Sequence, residues 1–598
     1  MAKRITPINY TARDFDSIKN ELVQYAKRYY PETFRDFNEA SFGALMLDMV
    51  SYVGDNLSFY LDYQANESFF DTATERSNVI RHARQLGYKH VGSPSSTGYC
   101  NFFCLVPANS LGLGPNTNYM PILKRGTELS SESGAAFILM EDINFGNLAN
   151  EVVAGRVNND TGVPTEYAVK AVGKVVSGKI LVERRTAGSF ERFKKVQLSS
   201  TRVAEILSVY DDQGHQYYQV DYLSQNVLYK EVANRTGNAT NQVTSILKPF
   251  VVPRRFVLEQ EGDRSFLQFG YGSDSEITSD SVAEPSNLVL DKSGRTYISD
   301  TSFDPSRLLD TDKFGVGPSD TNLIITYRVN TSATANASAG SLKRVTRAIA
   351  DFPDSSKIDP SIANRVRSSF EAYNYEPVVG GISTPDASEI RRRAGDFFAT
   401  QNRAVTSKDY ESLVYAMPPQ FGGIKRCKVL KDSDSFKRNL NLYILAENSN
   451  GTLARASTLL KENLKVWIDK VKMANDTVDI LDGRIVNYGV KYALISDPEF
   501  NKYDVLSRAT AAIANYYTYP RYFGEPLYIT DIYSMLNKLD GVVDVYNVEF
   551  VRKVGGSYSD TTYSFSENMS ADARYLNVPD NVCMEMKFPS NDIEGAVK

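Results

Sequence analysis

Residues 42–61 read Phe42-Gly-Ala-Leu-Met-Leu-Asp-Met-Val-Ser-Tyr-Val-Gly-Asp-Asn-Leu-Ser-Phe-Tyr-Leu61. Phe42, Leu45, Met46, Met49, Val50, Val53, Leu57, Tyr60 and Leu61 recur at the three- and four-residue steps of an α-helical face. The stripe is wide, so the helix needs cover over much of its girth. Each side chain of this kind that leaves water contributes about 1.5–3 kcal/mol. Two arrangements would supply the cover. Either the helix is central in its own domain, or it bundles with helices of partner chains.

The flanking sequence is helical as well. Thr11-Ala-Arg-Asp14 resembles a capping box, with Phe15, Ile18, Leu22, Tyr25 and Tyr29 on one face and Pro31 as the stop. A third helix, from about Thr74 to Leu86, ends at Gly87, a suitable C′ residue. After Gly92-Ser-Pro94 the period changes. Tyr99 to Val106, Phe137 to Met140, Ile180 to Val182, Tyr217 to Val220 and Phe266 to Phe269 are short apolar runs of strand length, separated by turn residues.

From Gly380 onward helices and strands alternate. One helix is capped by Thr384 with Pro385 at N1, and the next starts at Thr406-Ser-Lys-Asp409. A later one carries Leu459, Leu460, Leu464, Trp467 and Ile468, and the last carries Ile532, Leu536 and Leu539 before Gly541-Val542. The fold class expected is α+β multidomain, with an N-terminal helical bundle region, a β-rich middle and a C-terminal mixed α/β region. The divisions are a helical region at 1–92 and a β-rich domain at 93–272. An insertion or linker follows at 273–345, holding a strand at 323–329. A helical connecting region spans 346–430, an α+β dimerisation candidate 431–556, and a polar tail 557–598. Thr331 to Ser341 is near low complexity and reads as a loop.

Length and composition agree with several soluble domains: 598 residues, 42% apolar and 23% charged. A net charge of −5 argues against a dedicated nucleic-acid binder. No run reaches transmembrane length, and the start lacks the apolar core of a signal peptide. Four cysteines, Cys100, Cys104, Cys427 and Cys583, are too sparse for a disulfide framework and predict a reducing compartment. The chain is rich in tyrosine and phenylalanine, 37 and 30, which suits either interfaces or an aromatic β core.

Residues that carry chemistry are scarce. The histidines His82, His90 and His215 fall in no zinc-binding spacing. Cys100 and Cys104 read as buried thiols of one strand face, and no nucleophile elbow is present. Phe269-Gly-Tyr-Gly272 lacks the lysine of a phosphate loop. No catalytic residue, metal or cofactor is expected, and the chain reads as a scaffold and not an enzyme.

Several blocks carry a resemblance. Phe42 to Asp48, Gly54-Asp-Asn-Leu57, Tyr60, Glu67-Ser-Phe-Phe70, Thr72-Ala73 and Leu86-Gly87-Tyr88 form the N-terminal set. Pro121, Arg125-Gly126-Thr127, Phe137 and Phe269-Gly-Tyr-Gly272 follow. Pro385 to Arg391, Arg403-Ala-Val-Thr406, Asp409-Tyr410-Glu411, Gly524-Glu-Pro-Leu527 and Gly541-Val542 complete the series. In this order they resemble the baseplate J-like family, and more narrowly the baseplate wedge proteins of contractile-tailed, T-even-like phages. The resemblance implies a virion tail subunit assembled in the host cytoplasm. It would associate with itself, with other wedge proteins and with the tail hub in a six-fold ring, and rearrange on sheath contraction. From the charge and the apolar run lengths given above, no nucleic-acid partner and no membrane insertion are expected. The interface candidates are Phe42, Leu45, Met49, Val53, Leu57 and Tyr60 on the N-terminal helix, with Ile532, Leu536 and Val542 for the C-terminal dimer. The alternative is a carbohydrate- or receptor-binding tail component, with Tyr217 and Tyr218 as its aromatic platform.

Overall fold

A computed structural model describes residues 14–32, 41–90, 92–110, 113–234, 245–261, 264–272, 314–331, 335–353, 358–432, 439–517 and 521–598. The chain divides into two compact units: Met1–Tyr88 with Pro385–Gly395, and Lys89–Thr384 with Asp396–Lys598. The N-terminal helices, β-rich middle and mixed C-terminal region expected from the sequence are all present.

The first unit is built on α1 (Phe15–Tyr29), α2 (Phe42–Ser68) and α3 (Arg76–Gln85). Asp14 itself caps α1, accepting from the Ser17 amide, whereas the Thr11 of the expected box lies outside the described residues.

In the second unit the middle of the chain lays down β1 (Thr97–Pro107), β2 (Glu128–Ser131), β3 (Ala136–Leu139), β4 (Glu151–Val157) and β5 (Pro164–Ser177). Next come β6 (Lys179–Thr186), β7 (Lys195–Gln197), β8 (Val203–Asp211) and β9 (Gln216–Gln219). After them lie β10 (Val227–Ala233), β11 (Ser245–Val251), β12 (Arg255–Glu261) and β13 (Arg264–Phe269). The set closes with β14 (Asn322–Val329), β15 (Leu342–Arg347) and β16 (Glu371–Tyr373).

One seven-stranded sheet runs β15-β2-β3-β5-β1-β16, with β4 also on β5; a second runs β6-β14-β8-β9-β12-β13-β7. Cys100 and Cys104 are buried in the first, and burial pushes both thiols up to about 12. In the second sheet the outer strands approach without a ladder, and side chains join them. Glu183 on β6 accepts from the Ser199 amide (3.2 Å), the Ser199 hydroxyl (2.7 Å) and Tyr327 (2.6 Å). Burial raises the Glu183 carboxyl, but the hydrogen bonds from Tyr327 and Ser199 outweigh it and hold the group below its ordinary value. Its stabilisation is therefore full above the unfolded carboxylate pKa and is lost as pH falls through the lower folded value. Glu183→Gln should cost about 1–2 kcal/mol at neutral pH. Urea titrations across an acid series should show that gap closing as pH falls; a gap independent of pH would refute the assignment.

The expected insertion at 273–345 is not a linker throughout. Residues 273–313 lie outside the described residues. On either side of them, the Gly272 amide donates to the Gly315 carbonyl (3.0 Å) and the Gly317 amide to that of Gly272 (2.9 Å). The strand β14 matches the one expected at 323–329, and β15 is an edge of the first sheet.

Gly92-Ser-Pro94, after which the period changes, opens a polar segment that is buried from Ser93 to Thr97. It is held from several directions. Asn330 donates to the Ser93 and Pro94 carbonyls (3.0 and 3.2 Å), and Arg328 Nη1 to Ser95 Oγ (2.8 Å) and the Ser177 carbonyl (2.6 Å). Ser96 Oγ donates to Asn336 Oδ1 (2.6 Å), and the Ser95 amide to the Pro419 carbonyl (2.8 Å). Asn336 in turn donates to the carbonyls of Gly381 and Glu447, both at 2.8 Å. Beside it, Lys425 pairs with Glu447 at 2.8 Å, both side chains buried. The polar segment is thus a hub joining the two sheets to the C-terminal half.

The later chain forms α4 (Pro360–Ser368), α5 (Ala387–Thr400), α6 (Ser407–Tyr415), α7 (Thr458–Asp469), α8 (Lys502–Tyr516) and α9 (Ile529–Leu536). Thr406 and Asp409 make the full capping box on α6, whereas the α5 amide of Glu389 is met by Asp386 and not by Thr384. One sheet pairs β17 (Arg426–Lys431) with β18 (Asn439–Glu447), and β18 with β19 (Thr477–Asp482). Another centres on β20 (Arg484–Ser496), flanked by β21 (Val542–Arg552), β22 (Val582–Glu585) and β23 (Ile593–Val597).

The polar stretch 557–598 is therefore no loose tail. Leu576, Val582, Cys583, Met584 and Ile593 are buried, and β22 and β23 pair with β20 in parallel. Glu585 on β22 accepts from the Leu453 amide (2.6 Å) and Asn487 Nδ2 (3.0 Å), with burial raising its carboxyl.

Candidate assembly interface

The 27 residues of α2 make a rod about 40 Å long. Ser41 caps it through the Ala44 amide (3.1 Å). At about 100° per residue, Ala44, Leu47, Ser51, Gly54 and Ser58 share one face. This small-residue face carries the burial: Ala44 and Ser51 are buried, and the Ser51 hydroxyl is satisfied by the Leu47 carbonyl (2.7 Å). α1 packs there. A Cβ on Gly54 would lie 3.3 Å from Ile18 Cδ1, so glycine, which costs about 1 kcal/mol within a helix, permits the close approach. Lys19 and Asp48 flank the contact at 2.7 Å.

The large side chains point the other way. Phe42, Leu45, Met49, Val53, Leu57 and Tyr60 are 53–74% exposed. With Met46, Val50, Tyr52, Phe59 and Leu61, also exposed, they span an arc of about 200°. Tyr25, Tyr29 and Tyr30 of the α1 region are exposed too. A continuous apolar surface of this extent is characteristic of a surface that binds. Among the described residues, no helix is long and apolar enough to cross a membrane.

The end of α2 is locked by polar contacts. Glu67 is buried and accepts from Thr74 N and Oγ1 (both 2.7 Å), the Glu75 amide (3.1 Å) and Asn78 Nδ2 (2.9 Å). The bonds from Asn78 and Thr74 hold its carboxyl at about 2. It therefore meets the open amides at the start of α3 as a distant capping group. His82 Nε2 lies 2.9 Å from the Glu67 carbonyl. Gly87, at φ +85°, ends α3, and Tyr88 behind it is buried. Arg391 of α5 donates to the carbonyls of Phe70 (2.8 Å) and Ala73 (2.5 Å). A helix placed by the sequence in a connecting region thus contributes Pro385–Gly395 to the N-terminal unit.

The C-terminal candidates are placed differently. Ile532 and Leu536 are fully buried in the core of their own region, packed with Val490, Val505 and Ile513. They have no surface to offer a partner, because the apolar stripe of α9 is consumed by the sheet beneath it. Val542 is half-buried at the start of β21 against the same core. The expected aromatic platform is also not assembled. Tyr217 is buried against Phe269, and the Tyr218 ring packs on Phe250 and Lys230.

Residues 14–85, which span α1 to α3, match the family model described as the bacteriophage baseplate protein N-terminal domain. No curated protein matches the chain. Among solved structures, the chain is similar to one described as the cryo-EM structure of the anti-feeding prophage baseplate, 6-fold symmetrised. The identity is 10% and the TM-score 0.25, over 97% of this chain and 100% of that one. At that level the likeness adds nothing to the reading of the fold. The family match falls on the helices that carry the exposed arc, and it supports a structural component of a baseplate.

Proposed function

We propose that the chain is a wedge subunit of a contractile-tail baseplate and that the apolar arc of α2 is its assembly surface. The supporting observation is the coincidence of that arc with the segment that matches the baseplate N-terminal domain. Helices of a second copy and of another wedge protein cover the arc, in a six-fold ring around the tail hub, and these contacts rearrange when the sheath contracts. The protein resides in the virion tail after assembly in the host cytoplasm. The C-terminal region supplies a second self-association surface through exposed positions such as Val543 and Tyr546 of β21.

The test uses Leu45→Asp and Val53→Asp. Both positions are exposed, so the isolated chain should keep its stability to within about 0.5 kcal/mol. A carboxylate placed in an apolar interface costs at least about 3 kcal/mol, roughly a hundredfold in association. Sedimentation of the variants with co-expressed baseplate neighbours should show folded chains that stay out of the complex. Normal assembly by both variants would remove the arc from the interface.

A further inference from the structure

The strands β10 and β11 form a two-stranded ribbon of seven cross-strand pairs, Val227↔Val251 to Ala233↔Ser245, that joins no larger sheet among the described residues. Such a ribbon is marginal when nothing packs on it. On one face the pairs are Leu228↔Phe250, Lys230↔Lys248 and Val232↔Ile246. Lysines placed directly opposite one another repel and weaken the ladder. Lys230 is partly accommodated, its Nζ lying 4.4 Å from the Tyr218 ring and 4.0 Å from the Phe250 ring and donating to the Tyr218 hydroxyl (3.0 Å). Lys248 is exposed, and among the described residues no carboxylate pairs with either lysine. Val232, Ile246 and Phe250 around them are exposed as well. The face is apolar with a doubled positive charge at its centre. Pro249 removes one amide from the outer edge of β11, which makes that edge a poor template for a further strand and leaves the face as the docking element.

We propose that this face of the ribbon docks a protein segment that presents a carboxylate between apolar side chains. The carboxylate would settle between Lys230 and Lys248 and relieve their repulsion. Its apolar neighbours would cover Val232, Ile246 and Phe250. The ribbon belongs to the second unit and α2 to the first, so the proposal does not draw on the α2 reading.

The experiment uses the full chain and a fluorescein-labelled peptide of alternating valine and glutamate, followed by fluorescence anisotropy, with lysine replacing glutamate in a control peptide. The wild-type chain should bind the glutamate peptide in preference to the control, less tightly at high salt. Lys248→Glu should weaken that binding about tenfold and shift preference toward the lysine peptide. This variant replaces a repulsive pair with an attractive one, so its Tm should not fall, which separates loss of binding from loss of fold. Leu45→Asp should bind the peptide as wild type does, so failure of the α2 reading leaves this result standing. No binding, equal binding of both peptides, or indifference to Lys248→Glu would overturn the proposal.

Discussion

Replacing Arg328 with methionine should lower the free energy of unfolding by about 3–5 kcal/mol. Arg328 is 1% exposed, yet each of its three guanidinium nitrogens donates. Nη2 and Nε reach Glu205 Oε2 at 3.0 and 3.3 Å, while Nη1 serves Ser95 Oγ and the Ser177 carbonyl. Methionine fills much of the volume but leaves the Glu205 carboxylate and a buried carbonyl without donors. Unmade bonds of this kind cost more than the made ones contribute. Arg328→Lys should recover only part of the loss, because an ammonium cannot hold the same planar fork. Urea midpoints with unchanged slopes would read out the effect. A loss below about 1 kcal/mol for the methionine variant would mean that the guanidinium does not tie the sheets together.

The second large effect belongs to Asn336. One side chain makes five hydrogen bonds: to the carbonyls of Gly381, Glu447 and Asn448, and from Ser96 Oγ and the Gly381 amide. Asn336→Ala strands these partners in a buried site and should cost about 3–5 kcal/mol. Asn336→Asp should be as damaging, since a carboxylate turns the donating side of the amide into a second acceptor facing carbonyls. The check is denaturant unfolding, together with limited proteolysis near residue 381. If the aspartate variant were as stable as wild type, the amide orientation would be wrong. The Arg328 and Asn336 variants both act on the segment Ser95–Ser96, so their combined cost should fall short of the sum.

The helices were the legible part of the fold, because periodicity is local. The stripe of α2, the capping box at Thr406 and the C′ glycine at Gly87 can all be read within one window of sequence. Periodicity does not say who covers a stripe. It marked Leu45 and Leu536 alike as apolar face residues, yet the first is exposed and the second is closed inside its own core. The discriminating signal lay opposite the stripe: Ala44, Ser51 and Gly54 give α1 a close seat on α2, which turns the large residues outward. The hub was illegible for another reason. Ser93 to Thr97 and Ala335 to Ala337 have the composition of linkers, and their partners lie far away in the chain, 240 residues in the case of Ser96 and Asn336 and 111 for Asn336 and Glu447. Polar burial depends on such distant partners, and a single sequence does not pair them.

The place of β23 bears on how the protein is made. Synthesis delivers β20 about a hundred residues before Ile593–Val597, yet β20 takes β23 as its parallel neighbour, Val490 beside Ile593. Until those residues leave the ribosome, β20 keeps an open edge and its core lacks a buried isoleucine. A chain cut short before Ile593 therefore stays locally unfinished and open to proteases, however complete its earlier domains. Pairing β20 with a strand about a hundred residues further on makes completion of this sheet wait on synthesis of both segments.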